Sequence, residues 1–364
     1  MGKEGFWYYL GILSGAQFCL TQGEGRNGRK RSHENPLWQQ NHEYKDSLFC
    51  WLPSVLAALC RKALEAGIEE EFVQDLIRKY NLFPEMPPYA GDTWPWPVKI
   101  YVLGKFELVL DGKPLSFTGK MPKRPLLLLK MLIALGGEGV REEQLTDLLW
   151  PEADGDRAHS VFTTTLSRLR RLIGFAEAIE IHSGKVSINP RFCWVDMWAY
   201  EEICSEVECL LDDLAETGNQ AGRDRETVIQ LAERAVGMYG GSFLPGETNQ
   251  SWAASLRERL NSRFQRFIIR FGGYLEHLKE WGKAAQYYQM TLEMDETADE
   301  ELYRSLMICH HQLGQPAKVI EAYRRCSRSL QAALGIRPSP TTEIIYKNLV
   351  LATETATDRG GTTV

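Results

Sequence analysis

Apolar residues recur along the chain with two different spacings, and the change between them marks the predicted elements. Over residues 98–117, apolar and polar positions alternate around Gly104 and the turn Asp111-Gly112, which predicts short antiparallel strands. From Pro125 the spacing becomes helical, and residues 125–137 predict a strongly apolar helix closed by glycines.

Two more helices and a second hairpin follow. Residues 141–151 predict a helix that ends at Pro151, and residues 158–174 predict the next helix. Residues 178–190 then predict two short strands joined at Ser183-Gly184. Strands, three helices and a hairpin, in this order, are the succession found in a winged helix.

Helical patterns flank this region on both sides. Residues 48–80 predict two amphipathic helices broken at Gly67, and the proline-dense segment 83–97 predicts an extended linker. From about Asp196 the pattern is helical throughout.

The C-terminal part contains a candidate internal repeat. Three residues recur at an offset of 32, which is close to the period of tetratricopeptide helix pairs: Gly282, Ala285 and Tyr288 return as Gly314, Ala317 and Ile320. We therefore expect a mainly α fold, in which a winged helix (α+β, with short hairpins and three helices) is flanked by tetratricopeptide-like α-helical regions.

These changes predict four segments along the 364 residues. They are a helical-repeat remnant with a Pro-rich linker (1–97), a winged helix (98–195), a tetratricopeptide-like helical domain (196–355) and a disordered tail (356–364). No segment is long and apolar enough to span a bilayer.

Two N-terminal stretches invite other interpretations. The apolar run 6–20 is expected to form a buried helix rather than a signal peptide, because almost no basic region precedes it. The run Gly23–Ser32 is interpreted as a flexible linker rather than a phosphate loop, because Arg29 stands where a lysine is expected.

The third predicted helix has two contrasting faces. At about 100° per residue, Phe162, Leu166, Leu169 and Ile173 form an apolar stripe that should pack on the other two helices. The opposite side carries hydroxyl and guanidinium groups: Ser160, Thr164, Ser167 and Arg171, flanked by Arg157 and Arg168, with Thr163 beside them. No acidic residue occurs between Asp156 and Glu177.

These residue types suit contact with duplex DNA. Short hydroxyl side chains let a helix approach the floor of the major groove, and a threonine methyl can contact the thymine methyl. Arginines at the edge of the helix can neutralise phosphates or donate to guanine. Such faces also occur on helices that bind nothing, so a solvated face is the alternative.

Composition narrows the partners and the chemistry. The formal net charge is −6, so contact with an anionic polymer would require a local basic patch. The eight cysteines are scattered without a C-x-x-C spacing, which favours reduced thiols in the cytoplasm.

Cys309, His310 and His311 are adjacent on a predicted helix and cannot converge on one ion, so no metal site is predicted. We find no nucleophile motif or cofactor loop, and expect neither an enzyme nor a bound cofactor.

Aromatic residues are predicted to pack in the core rather than to form a stacking platform or a ligand cage. This applies to the tryptophans at the domain junctions and to one tyrosine pair: Trp94, Trp96, Trp150, Trp194, Trp198, Tyr287 and Tyr288.

Several stretches in a fixed order resemble one family. Resemblance to the OmpR-type winged helix of SARP-type bacterial activators is carried by "VKIYVLGKFELVLDGKPL", "KRPLLLLKMLIALGGEGVREEQLTDLLWPEADGDRAHSVFTTTLSRLRRLIG" and "VSINPRFCWVDMWAYE". Resemblance to the bacterial transcriptional activation domain is carried by "GMYGGSFLPGE", "WAASLRERL", "LYRSLMICHHQLGQPAKVIEAYRRC" and "LGIRPSPTTEIIY". The chain as a whole resembles the C-terminal portion of a larger multidomain regulator.

The resemblance implies a sequence-specific transcriptional activator that binds double-stranded DNA. It places the recognition helix at 157–173 in the major groove, Lys123 and Arg124 near phosphate, and the wing at 179–189, where Lys185 could reach the minor groove or the backbone. The helical domain would mediate self-association, with possible homo-oligomers on DNA, or contact RNA polymerase. No membrane partner is implied.

A second function class stays open. Helical repeats at both ends could bind proteins, and the winged helix could serve as a docking module without DNA binding, because a fold does not fix a function. In that case the chain would be a protein-interaction adaptor.

Overall fold

The computed structural model describes residues 53–84, 93–116, 121–152, 155–217, 222–248, 250–294 and 299–359. The chain divides into two compact units: residues up to 101 with 107–199, and residues 102–106 with those from 200 onwards. The predicted helix 6–20 and the run Gly23–Ser32 lie outside the described residues. Within the described ranges, no helix has the length and hydropathy needed to cross a bilayer.

The first unit begins with the two predicted amphipathic helices, which the structure confirms. They are α1 (Pro53–Glu65) and α2 (Glu70–Tyr80), separated by a turn in which Gly67 has a φ of 63°. The ring of Phe83 lies 5.8 Å from that of Phe192, so the helix pair is anchored to the rest of its unit by an aromatic contact.

The winged helix follows with the predicted order of elements. Its bounds are β1 (Val98–Tyr101), β2 (Glu107–Leu110), β3 (Lys113–Pro114), α3 (Lys123–Ala134), β4 (Val140–Arg141), α4 (Glu142–Leu149), α5 (Gly155–Ile173), β5 (Ile179–His182), β6 (Lys185–Ile188) and β7 (Cys193–Val195). One sheet has the order β3-β2-β1-β7, and the other has the order β4-β6-β5. Strand β7 runs parallel to β1, whereas β1 and β2 are antiparallel. The predicted fold class is therefore confirmed.

Tryptophans occupy the core of this unit, as predicted. Trp94, Trp96 and Trp194 are at most 3% exposed, while Trp150 and Trp198 are half-buried. A strand that the sequence pattern did not indicate, β4, pairs with β6 and closes the second sheet.

The second unit is helical. Its helices are α6 (Asp196–Thr217), whose residues up to 199 belong to the first unit, α7 (Gly222–Met238), α8 (Ser251–His277), α9 (Trp281–Met294), α10 (Glu300–Gln312), α11 (Pro316–Leu334) and α12 (Pro340–Arg359). Helix α12 extends past residue 356, where the tail was expected to begin; residues 360–364 lie outside the described part.

The internal repeat is present, but its offset is 35 residues and the predicted offset of 32 is wrong. The turns after α8 and α10 make the same backbone hydrogen bonds, Lys279 and Gly314 have φ values of 62° and 67°, and the next helices begin at Trp281 and Pro316. Buried positions recur at the same offset: Phe267, Ile268, Phe271, Gly272, Leu275 and Ala284 match Leu302, Tyr303, Leu306, Met307, His310 and Val319. The two glycines of the predicted match are not equivalent, because Gly282 lies inside α9 while Gly314 lies in the turn before α11. The offset is close to the 34-residue tetratricopeptide period.

The histidines of α10 also pack within the repeat. His310 is 6% exposed, its Nδ1 lies 3.1 Å from Gln315 Oε1, and burial lowers its pKa. Among the described residues, no group of three or more Cys, His, Asp or Glu side chains is placed to hold a metal ion. The described cysteines are free thiols, and burial raises the pKa of Cys326 to about 12.

Helices α8 and α9 are in tight contact at a glycine. A Cβ added to Gly272 would overlap the ring of Tyr288, whose hydroxyl donates a hydrogen bond of 2.6 Å to Glu276 Oε1. The next residue, Gly273, is exposed, and a Cβ there would meet nothing. The packing therefore excludes a side chain at Gly272 and leaves room for one at Gly273.

We expect Gly272→Ala to lower the free energy of unfolding by about 1–3 kcal/mol, because the added methyl overpacks a full core. Gly273→Ala is the matched control, and it should raise that free energy by up to about 1 kcal/mol, because alanine favours a helix over glycine. Urea unfolding of both variants measures the difference. Equal effects of the two substitutions would contradict the close approach at Gly272.

Candidate nucleic-acid interface

Helix α5 is held against the rest of its unit by one apolar side. Helices α3 and α4 both contact α5, and its buried residues are Ala158, Phe162, Thr165, Leu166, Leu169 and Ile173. The predicted apolar stripe is therefore confirmed, with Ala158 and Thr165 added to it. This burial fixes which side of α5 faces away from its unit.

The opposite side of α5 is exposed along its whole length. Every residue that the sequence placed there is exposed: Arg157, Ser160, Thr163, Thr164, Ser167, Arg168 and Arg171. The three arginines make no ion pair with any residue that the structure describes. The face therefore combines small hydroxyl side chains with three uncompensated positive charges.

The three consecutive threonines do not play one role. Thr163, Thr164 and Thr165 each donate a hydrogen bond of 2.8–2.9 Å to the carbonyl four residues earlier. Thr165 is only 5% exposed and belongs to the buried side, so it cannot contact a groove as its two neighbours can. Thr163 and Thr164 remain on the outward face, with their hydroxyl protons engaged and their oxygens still able to accept.

Arg170 lies between the exposed arginines but has a structural partner. Its Nε and Nη2 donate to the carbonyl oxygen of Ile179 at 3.0 and 2.7 Å. Ile179 is the first residue of β5, so this guanidinium joins the end of α5 to the start of the hairpin.

The start of α3 is only partly as expected. Lys123 is exposed. Arg124 is also exposed, but its Nη1 donates a 2.8 Å hydrogen bond to the carbonyl oxygen of Leu149. Arg124 therefore joins α3 to the last residue of α4. A phosphate would have to bind the same guanidinium that already donates to Leu149.

The hairpin has a two-residue turn that is fixed to the body of the unit. Ser183 and Gly184 have φ values of 51° and 71°, which both lie in the left-handed region typical of a tight type I′ turn. The carbonyl of Gly184 accepts a hydrogen bond of 2.9 Å from the backbone of Glu142. Lys185, directly after the turn, is exposed as predicted.

A second basic residue of the hairpin sheet was missed by the sequence analysis. Arg141 on β4 lies directly opposite Lys185 on β6, and both side chains are exposed. Like charges opposite each other in a sheet are destabilising, so this pair favours an anionic partner. The available signal was weak, since Arg141 precedes two glutamates and β4 was not predicted.

A compact three-helix unit with a β-hairpin and an outward polar helix defines the winged-helix class. Residues 209–350 match the bacterial transcriptional activator domain. The chain is 23% identical over 249 residues to the regulatory protein AfsR of Streptomyces griseus, a match that covers 67% of this chain and 24% of AfsR. The chain thus spans about a quarter of the length of that relative.

A solved structure gives the same picture of the fold. Mycobacterium tuberculosis EmbR, solved in complex with a low affinity phosphopeptide, matches with a TM-score of 0.53 at 18% identity, over 72% of this chain and 68% of EmbR. Together, these matches confirm the predicted resemblance to SARP-type bacterial transcriptional activators.

We expect Arg170→Met to lower the free energy of unfolding by about 1–3 kcal/mol, because the buried carbonyl of Ile179 loses its charged donor. Arg171→Met is the matched control on the exposed neighbour, and its effect should stay within about 0.5 kcal/mol. Denaturant unfolding followed by circular dichroism measures both. Indistinguishable midpoints for the two variants would show that Arg170 is not a structural residue.

Proposed function

We propose that this chain is a sequence-specific, double-stranded-DNA-binding transcriptional activator. Helix α5 enters the major groove, the β5–β6 hairpin follows the adjacent backbone or minor groove, and the second unit mediates self-association or contacts RNA polymerase. The similarity to bacterial transcriptional activators supports the regulatory role.

The observation that carries DNA binding is the outward face of α5. From Arg157 to Arg171 seven exposed residues share it and none is acidic, although the exposed Asp156 directly precedes them; the arginines have no ionic partner among the described residues. A surface that only needed solubility would gain by mixing acids with bases, because opposite charges one turn apart stabilise a helix.

The order of side chains along the face fits a groove. Ser160, Thr164 and Ser167 are short, so the helix axis can approach the base edges. Arg157 and Arg168 are about three helical turns apart and therefore lie on the same side of these residues, where both can contact phosphates of one strand. Lys185 and Arg141 add positive charge at the hairpin.

The adaptor alternative makes a different prediction about salt. Binding to DNA through phosphates releases counterions and weakens steeply as salt rises, whereas docking of a partner protein on an uncharged surface does not. Selection of bound sequences from a random duplex pool distinguishes the two functions, because an adaptor enriches no sequence.

We expect Arg168→Ala and Arg171→Ala each to weaken DNA binding and to reduce the slope of log K against log salt by about 0.9 for each phosphate that is no longer neutralised. Loss of discrimination at a single base pair would instead indicate that the arginine binds a base. Fluorescence anisotropy over a salt series measures both quantities.

Arg78→Ala is the control for net charge. Arg78 is an exposed arginine of α2 that pairs with Asp75 at 3.1 Å, so its removal changes the total charge without changing α5. DNA binding that responds to Arg78→Ala as strongly as to Arg168→Ala and Arg171→Ala would contradict the assignment of α5.

A further inference from the structure

His159 lies at the edge of the outward face of α5, one turn before Thr163, whose hydroxyl donates to the His159 carbonyl. The imidazole is 69% exposed, yet its Nδ1 lies 2.5 Å from Glu142 Oε1. Holding an exposed side chain in one rotamer costs conformational entropy. Here a short, charge-assisted hydrogen bond holds the ring in one orientation.

Glu142 is itself fixed in place. It is the first residue of α4, its side chain is only 17% exposed, and its backbone N–H donates to Gly184 in the hairpin turn. The N-terminus of a helix favours negative charge, so an acidic side chain suits this position. Glu142 thus contacts the hairpin turn through its backbone N–H and contacts α5 through its carboxyl group.

This geometry determines what the neutral imidazole of His159 can offer to a ligand. A carboxylate oxygen accepts hydrogen bonds, so the tautomer that fits the contact carries its proton on Nδ1. In the neutral ring, Nε2 is then an acceptor, and it lies on the side of the ring away from Nδ1. The acceptor is presented in an exposed position near the N-terminal end of α5, the part of a recognition helix that contacts base edges.

We propose that Nε2 of His159 accepts a hydrogen bond from a base edge in the major groove, and that Glu142 positions the ring for it. The donors that fit are the exocyclic amino groups of adenine and cytosine. His159 is then a specificity-determining residue, and Glu142 is a positioning residue that acts through it. This inference rests on the proposed function, because it requires α5 to enter the groove.

The test begins with the duplex sequence that the wild-type chain selects. Dissociation constants are then measured on that duplex and on variants with one base pair changed at a time. His159→Ala should reduce discrimination at one base pair by about two- to tenfold, the range of one net hydrogen bond, and leave the other positions unchanged. Glu142→Ala should reduce discrimination at the same base pair.

Two further variants isolate the role of Glu142. The double variant Glu142→Ala/His159→Ala should lose no more discrimination than His159→Ala, because both substitutions remove one coupled interaction. Glu142→Gln should retain discrimination, because its amide oxygen still accepts from Nδ1. Glu143→Ala removes the neighbouring exposed carboxylate, and it should leave discrimination unchanged.

Three results would overturn the inference. They are an unchanged base preference in His159→Ala, an equal loss of affinity on all duplexes, and losses from Glu142→Ala and His159→Ala that fall at different base pairs or add. If the wild-type chain selects no sequence, the proposed function itself has failed. If selection succeeds and Arg168→Ala weakens binding while His159→Ala preserves every preference, only the inference about His159 fails.

Discussion

Burial of one side of α5 is the interaction on which the interface depends, because it fixes the rotation of that helix about its own axis. Phe162, Leu166 and Leu169 are at most 2% exposed, and each contributes about 1.5–3 kcal/mol. Threonine costs at most about 0.7 kcal/mol of helix propensity per residue. The apolar side therefore outweighs the poor helix formers, and it determines where the polar side points.

Local spacing is enough to predict the three helices, the hairpin and the exposure of the outward residues of α5. It leaves Arg170 off the outward face but cannot predict what Arg170 binds, because the carbonyl of Ile179 comes within reach only in the folded unit. The same holds for Arg124, whose partner at Leu149 is 25 residues away. Sequence periodicity reports which side of a helix is apolar, whereas the partner of a long polar side chain depends on tertiary structure.

The hairpin and α5 form one framework through two contacts of different kinds. Arg170 ties the end of α5 to β5, and the backbone bond between Glu142 and Gly184 ties the hairpin turn to α4. Neither contact uses an outward residue of α5, so both can hold the framework while those residues bind a partner. A surface that is ordered in this way loses less conformational entropy on association, so more of each contact appears as affinity.

The two helix pairs of the repeat share a turn that is built from different residues. Lys279 and Gly314 hold equivalent places directly after the capping leucines of α8 and α10, and their φ values are 62° and 67°. Glycine adopts this left-handed conformation without a steric cost, whereas lysine does not. The backbone, and not the residue type, is therefore what the two copies have in common, so a comparison of residue identities alone aligns them out of register.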